Sequence, residues 1–134
     1  MKRKAFKRQR ARCQRVIGEW LQPLGLLWWE TTINYYDDPA EFPGGAGSGD
    51  SHVAARVWAQ WEYLQATVAI NVPEVAQMDD DKLERVLVHE LCHILVSEMR
   101  ADPDVCTDHE ERTVTQLANA FIWTRDRARE AAQQ

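Results

Sequence analysis

The 134-residue chain lacks several features that would place it in a specialised class of protein. No apolar run approaches the ~18 residues of a membrane span, and no apolar stretch follows the basic N-terminus as it would in a secretory signal. The three cysteines form no CxxC pair, which argues against a disulfide framework or an all-cysteine zinc site. No internal repeat is visible. We therefore expect a cytoplasmic protein with reduced thiols and no membrane segment.

Length and composition are those of an ordinary globular domain. The chain is 45% hydrophobic and 28% charged, and a domain typically holds roughly 100–200 residues. We expect a single domain over residues 1–134. The order of the predicted elements indicates an α+β fold: an N-terminal helix, a small and mainly antiparallel three-stranded sheet, and then two helices packed on each other.

Positive charge is concentrated at the N-terminus. Eight of the 16 basic residues precede the first acidic residue, Glu19, so residues 16–134 hold eight basic and 21 acidic residues, a formal charge of −13. An acidic body argues against nucleic-acid binding over the whole surface, but the basic arm over residues 1–15 can contact phosphate. The other interpretation is a solvated helix face, because apolar residues recur at helical spacing and can dock one stripe. That stripe comprises Phe6, Cys13, Ile17, Trp20 and Leu21.

Three strands are predicted in the first half of the chain. Aromatic and β-branched residues over 27–36 predict the first, and alternation over 53–59 and 66–72 predicts two more. A turn is expected around 60–64, and Pro73 ends the last strand. Large rings on a small sheet are usually core or covering residues, which is the role expected for Trp58, Trp61 and Tyr63.

Residues 37–51 are predicted to be a flexible loop. They contain two prolines and four glycines, a composition typical of connections between core elements. The loop is interpreted either as a long hairpin connection or as a lid over a substrate.

Two helices are predicted after the strands. Three aspartates at 79–81 offer an N-cap and an acidic first turn for a helix over 82–99. Apolar residues cover almost its whole circumference, so its middle should be buried between the sheet and another helix. The last helix is expected to begin near Thr107 or Asp108.

The strongest motif is HExxH, formed by His89, Glu90 and His93 within the first of these helices. Four residues of helix rotate through about 400°, so both imidazoles share one face and can approach one tetrahedral metal ion to about 2 Å. Glu90 flanks that face and can accept a proton from a water molecule that the metal activates. Left unpaired in an apolar helix, each polar group would cost on the order of 1–3 kcal/mol. The motif therefore predicts a zinc site with Glu90 as general base.

The third zinc ligand is expected at the start of the last helix, because a catalytic zinc ion normally has three protein ligands and one open position. Glu110 and Glu111 lie near the apolar face of that helix, whereas His109 is turned roughly 140° away. If Thr107 is the N-cap, Glu110 occupies the reciprocal capping-box position and Glu111 is free to bind metal. If Asp108 is the cap, the roles reverse. The spacing leaves both acids open.

Residues 66–123 resemble the minimal zinc metallopeptidases of the gluzincin type, particularly small phage-encoded proteins of that kind. The segments that carry the resemblance are ATVAINVP, VLVHELCHILV and HEERTVTQLANAF. In such families an edge strand precedes the HExxH helix, and a glutamate on the next helix, upstream of a Leu-Ala pair, completes the zinc site. The resemblance thus implies Glu111 as the third ligand, with Glu110 as the alternative. The metzincin extension is absent, because Val96 stands where that motif has glycine.

We therefore predict a zinc-dependent metallopeptidase, an endopeptidase rather than an exopeptidase, acting on a peptide or protein in the cytosol of a bacterium or a phage-infected host. The strand near residues 67–72 is expected to lie beside the site and to hold an extended peptide by backbone pairing. The alternative is a non-catalytic, zinc-stabilised interaction module that contacts nucleic acid through the basic arm. Glu90 argues against it, because a structural zinc site has no use for a carboxylate beside an open position.

Overall fold

The computed structural model describes residues 1–48 and 51–134 and has the α+β architecture that the sequence predicts. Its elements, in chain order, are α1 (Arg3–Leu21), β1 (Glu30–Tyr36), β2 (Gly47–Ser48), β3 (Ser51–His52), β4 (Ala55–Gln60), β5 (Gln65–Asn71), α2 (Val72–Val75), α3 (Asp80–Leu95) and α4 (Thr107–Ala132). Short 3-10 turns lie at Pro39–Glu41, Trp61–Tyr63 and Ser97–Ala101. Within the described ranges, every helix is too short or too polar to cross a bilayer.

The main sheet is mixed, so the prediction of a mainly antiparallel sheet is wrong. Its strand order is β1-β5-β4; β5 pairs in parallel with β1 and antiparallel with β4. Val68 on β5 lies opposite Ile33 on one side and Val57 on the other. The central place belongs to β5 because it is the most apolar strand, and pairing on both edges buries it almost completely.

The chain between β1 and β4 is consequently a crossover past β5 and not a hairpin connection. Its described part packs on the sheet face opposite the helices, where Phe42 is buried and its ring meets the ring of Tyr36 edge-on at 5.9 Å. Arg56 on β4 donates to the carbonyls of Gly44 and Gly45 at 3.3 and 3.2 Å. Gly44 has a φ of +77°, and a Cβ there would lie 3.1 Å from Arg56 Nε. Gly49 and Asp50 of the predicted loop lie outside the described residues.

Two strand-level expectations need correction. β1 begins at Glu30 and not at residue 27, because the Trp29 N–H donates to the Leu26 carbonyl and closes a turn. Trp58 and Tyr63 are 45% and 73% exposed, so neither takes the core role, which was one of the two expected, and Trp61 is half-buried. The alternation of β4 explains Trp58, because its neighbours in the strand already fill the core-facing positions.

The N-terminal helix α1 docks by the apolar stripe that its sequence predicts. Cys13, Ile17 and Trp20 are at most 4% exposed and join the core, while Phe6 packs against it from the edge. The same helix keeps most of its cations in solvent. Arg12 is the exception: it donates to the Met78 carbonyl and to Asp80 at the start of α3, each at 2.9 Å.

The central helix α3 begins at Asp80, two residues before the predicted start, and ends at Leu95, four residues before the predicted end. The Asp79 carboxylate accepts from the Lys82 N–H at 2.8 Å and caps the helix. The helix stops at Leu95 because the Ser97 hydroxyl donates to the Ile94 carbonyl at 2.8 Å, and the chain continues as a 3-10 turn. Its apolar residues contact the sheet, α1 and α4, which confirms the predicted burial.

A part-buried ion pair ties the three long helices together. Arg125 on α4 donates to both carboxylate oxygens of Glu84 on α3, at 2.6 and 2.5 Å, and Trp20 Nε1 on α1 donates to the same carboxylate at 3.0 Å. The Arg125 guanidinium also lies 5.1 Å from the centre of the Trp20 ring. Hydrogen bonding from Arg125 holds the pKa of Glu84 below its usual value.

We predict that Glu84→Gln lowers the free energy of unfolding by about 1–3 kcal/mol at neutral pH, because an amide cannot accept two charge-assisted bonds. A lowered carboxyl pKa stabilises the fold above the unfolded-state pKa, and this stabilisation is lost as pH falls through the folded-state value. Urea denaturation at neutral and acidic pH should therefore show the two proteins converging in acid. The matched control is Glu130→Gln, which removes an exposed partner of Arg127 and should change stability by less than about 0.5 kcal/mol. Equal losses in both variants would contradict the proposed role.

Candidate metal centre and cleft

Three side chains from α3 and α4 converge on one point. His89 Nε2 and His93 Nε2 lie 3.3 Å apart, as the HExxH spacing predicts. The Glu111 carboxylate faces both of them, with one oxygen 3.1 Å from His89 Nε2 and the other 3.1 Å from His93 Nε2. The first turn of α4 therefore brings Glu111 against the histidine pair.

This arrangement passes a simple test of fit for a metal ion. His89, Glu90 and His93 each offer a ligand atom within 4.8 Å of the others, so the group can hold a metal ion. Ligands at ~2.0–2.1 Å from a tetrahedral ion lie about 3.3 Å apart. The spacings among the two imidazole nitrogens and the Glu111 oxygens are 3.1–3.3 Å. Two nitrogens and a carboxylate oxygen are also a donor set that zinc accepts in catalytic sites.

Glu110 takes a different position from Glu111. It is 3% exposed, and its Oε1 lies 3.2 Å from His93 Nδ1, on the side of the ring away from the site. An Nδ1–H tautomer of His93 donates to this carboxylate and leaves the Nε2 lone pair facing the site. Arg100, in the 3-10 turn after α3, donates through Nε to both Glu110 oxygens at 2.9 Å.

The expected capping role of Glu110 is wrong. The N-cap residue of α4 is Cys106, which makes no side-chain cap, so neither Thr107 nor Asp108 takes that place. The Glu110 carboxylate is satisfied by Arg100 and His93 instead of by backbone N–H groups. The Glu110 side chain is more deeply buried than its position near the start of a helix suggested. Its orientation is set by Arg100 and His93, which are distant in sequence.

The electrostatics of the site follow from burial and from the carboxylates around it. Burial, with a smaller contribution from the Glu111 carboxylate, raises the pKa of Glu90 to about 8. Burial, followed by the neighbouring His93, lowers the pKa of His89, which favours the neutral imidazole that metals bind. Burial alone would raise the pKa of Glu110, but bonds from Arg100 and His93 outweigh it and hold this pKa below its usual value.

A cleft passes across the histidine pair. A pocket of about 690 Å³ lies on one side and includes Val86 and Ala118, and a pocket of about 390 Å³ lies on the other and includes Trp58. The two pockets share four lining residues: Val53, Ala55, His89 and Glu90. They are therefore adjacent, and His89 and Glu90 lie between them.

The strand beside this cleft is β4, not the strand near residues 67–72 as expected. β5 is paired on both edges, whereas β4 forms an edge of the sheet and contacts α3. The Asn71 N–H donates to the Ala54 carbonyl at 2.9 Å, which marks Ala54 and Asn71 as a hydrogen-bonded pair of the antiparallel ladder. Such pairs alternate, so the backbone groups of Ala55, Val57 and Ala59 point towards the free edge.

Sequence reasoning missed two cations at the cleft. Arg56 and Arg100 both line the smaller pocket, together with Glu90 and Glu111. Arg56 lies between Ala55 and Val57, which the predicted alternation places on the core face of the strand. That alternation indicated that the Arg56 side chain points away from the core. Arg100 carried no signal, because its position depends on the 3-10 turn that ends α3 early.

Comparisons with models of known protein families, with curated proteins and with solved structures find no match to this chain.

We predict that the two neighbouring glutamates contribute unequally to metal affinity. Glu111→Ala removes the group that faces both imidazole Nε2 atoms and should weaken zinc binding by more than 100-fold. Glu110→Ala removes only the partner that orients His93 and should weaken it by roughly 10–100-fold. Asp108→Ala, which deletes an exposed carboxylate from the same turn, is the control and should change little. Competitive titration with a chelating dye measures all three, and the opposite ranking would exchange the roles of the two acids.

Proposed function

We propose that the protein is a zinc-dependent metallopeptidase that cleaves extended peptides internally. The observation that carries the proposal is the convergence of His89, His93 and Glu111 next to Glu90, at the edge of an open strand. The cytosol remains the expected location, consistent with free thiols at all three cysteines.

Each residue of the centre has a separate task. His89, His93 and Glu111 would hold the zinc ion, and Glu110 keeps His93 in the tautomer that presents Nε2. When bound, zinc would supply Lewis acidity, polarising the scissile carbonyl and making a water molecule more acidic. Beside a bound cation the Glu90 carboxyl would be ionised despite its burial, so it can take the proton from the attacking water and deliver it to the nitrogen of the leaving amine. The partial burial of Glu90 limits the number of competing water molecules around its carboxylate.

Substrate binding is assigned to the free edge of β4. Backbone groups of Ala55, Val57 and Ala59 can pair with an extended peptide and align its scissile bond with Glu90. Because the cleft continues on both sides of Glu90, a chain can extend in both directions from the cleaved bond. This openness favours endopeptidase over exopeptidase activity.

We predict about one zinc ion per chain and its loss in His89→Ala and in His93→Ala. Each substitution removes one of the nitrogen ligands, and two remaining groups hold zinc much more weakly. Elemental analysis of the purified proteins measures the metal content. His109→Ala is the control, since that histidine is exposed on α4, and it should keep the metal. Full zinc occupancy in both test variants would show that the site is wrong.

The decisive variant for catalysis is Glu90→Gln, which preserves size and removes the base. Zinc content and folding should be unchanged, while peptide hydrolysis should fall by at least ~10²–10⁴-fold. Glu62→Gln is the control, because Glu62 is exposed on the turn before β5 and lines neither pocket, so its loss should leave the rate within a few-fold of the parent.

The assay uses the zinc-loaded protein with a broad peptide library, because no substrate is defined by the site. If the parent protein cleaves nothing in that library and Glu90→Gln leaves every other property unchanged, the peptidase proposal fails. The site would then be a zinc staple between α3 and α4, and chelation should lower thermal stability without affecting any reaction.

A further inference from the structure

The start of α1 contradicts the usual electrostatics of a helix N-terminus. Lys2 occupies the N-cap position without a side-chain cap, and the first turn contains no acidic residue. Cations instead lie beside the positive end of the helix dipole, where acidic side chains are favoured. Arg3 with Lys7 and Lys4 with Arg8 are like-charge pairs four residues apart, an arrangement that also destabilises a helix.

These charges are not compensated within the described part of the chain. Of the eight basic residues in the arm, Arg12 alone forms an ion pair there, with Asp80. The other seven are exposed: Lys2, Arg3, Lys4, Lys7, Arg8, Arg10 and Arg15. A segment that breaks local rules without internal compensation is where a functional surface is expected. The compensation that the described residues do not supply is negative charge.

Four of the seven exposed cations share one face of the helix, which we call the α1 basic face. Lys4, Lys7, Arg8 and Arg15 lie within about 100° of one another around the helix, opposite the buried stripe. From Lys4 to Arg15 the helix rises about 16 Å, at 1.5 Å per residue. That length matches several successive phosphates of a nucleic-acid strand, which carry one charge per roughly 3.4 Å of helix axis.

A shallow groove of about 520 Å³ lies on the neighbouring flank of α1, where the helix meets β1. It is bounded by Phe6 and Arg10 on α1 and by Asn34, Tyr35 and Tyr36 on β1. The Arg10 guanidinium lies 5.3 Å from the centre of the Tyr35 ring, which holds it at the border between helix and strand. The groove thus adds amide and aromatic groups next to a line of cations, a combination that is typical of nucleic-acid-binding surfaces.

We propose that the α1 basic face, with the groove on the neighbouring flank, binds the phosphate backbone of a nucleic acid. A membrane is the less suitable partner, because the apolar stripe of α1 is already buried in the core and cannot enter a bilayer. The rest of the chain carries a formal charge of −13 and repels a polyanion, so contact is confined to α1. No cation of this face lines the cleft, so the proposal does not depend on peptidase activity.

The experiment measures binding of the full chain to fluorescent duplex DNA, single-stranded DNA and RNA of equal length across a salt series. Four phosphate contacts predict that log K falls with log salt concentration with a slope of roughly −3 to −4. Arg8→Gln with Arg15→Gln should weaken binding at least tenfold and make that slope less steep by about two. The matched control, Arg127→Gln with Arg129→Gln, removes the same charge from exposed positions on α4 and should leave affinity nearly unchanged.

Thermal unfolding and zinc content of both double variants establish that a lost affinity is not lost folding. Binding to any of the three nucleic acids that depends on Arg8 and Arg15 supports the proposal, and the three probes identify which form is preferred. Binding that is equal in both double variants would overturn it. So would tighter binding to a poly-glutamate peptide or to anionic lipid vesicles, because the partner would then be an acidic protein or a membrane.

Discussion

The centre of the molecule depends on how α3 accommodates polar side chains inside an apolar core. The helix contacts α1, α4 and the sheet, so most of its circumference is committed to packing. His89, Glu90 and His93 can only face the gap between the β4 edge and the start of α4. There His89 and His93 meet the carboxylates of Glu111 and Glu110, and the same gap is the cleft. Burial and site geometry are therefore one constraint, because displacing α3 would expose the core and also move the histidines away from Glu110 and Glu111.

Much of this arrangement could be predicted from local sequence. The HExxH spacing fixes the relative position of the two imidazoles, and Asp79 fixes the beginning of the helix that carries them. The apolar stripe along α1 could also be predicted from local sequence, because helical periodicity shows which residues share a face whatever surface that face packs against. In each of these patterns, neighbouring residues are about one helical turn apart in the sequence.

The features that could not be predicted depend on contacts between distant segments. Strand β5 lies between β1 and β4. Alternation within each strand predicts which side chains face the core, but it does not determine the order of the strands in the sheet. The separate roles of Glu110 and Glu111 were also inaccessible, because Arg100 reaches Glu110 only after α3 has ended at Leu95. The spacing left both acids open, and long-range partners separate them: Glu110 contacts the far side of the His93 ring, while Glu111 faces both Nε2 atoms.

The sequence positions of the site also bear on the order in which it forms. The polar residues of the site all belong to one segment, which consists of two helices and the turn between them. They are His89, Glu90, His93, Arg100, Glu110 and Glu111. The loop that must close to assemble them is short, so its entropic cost is small. The wall provided by β4 comes from much earlier in the chain and requires the mixed sheet to be complete. The cluster of histidines and glutamates can thus assemble on a helical hairpin early in folding, whereas the cleft beside β4 exists only once the slower, non-local strand pairing is finished.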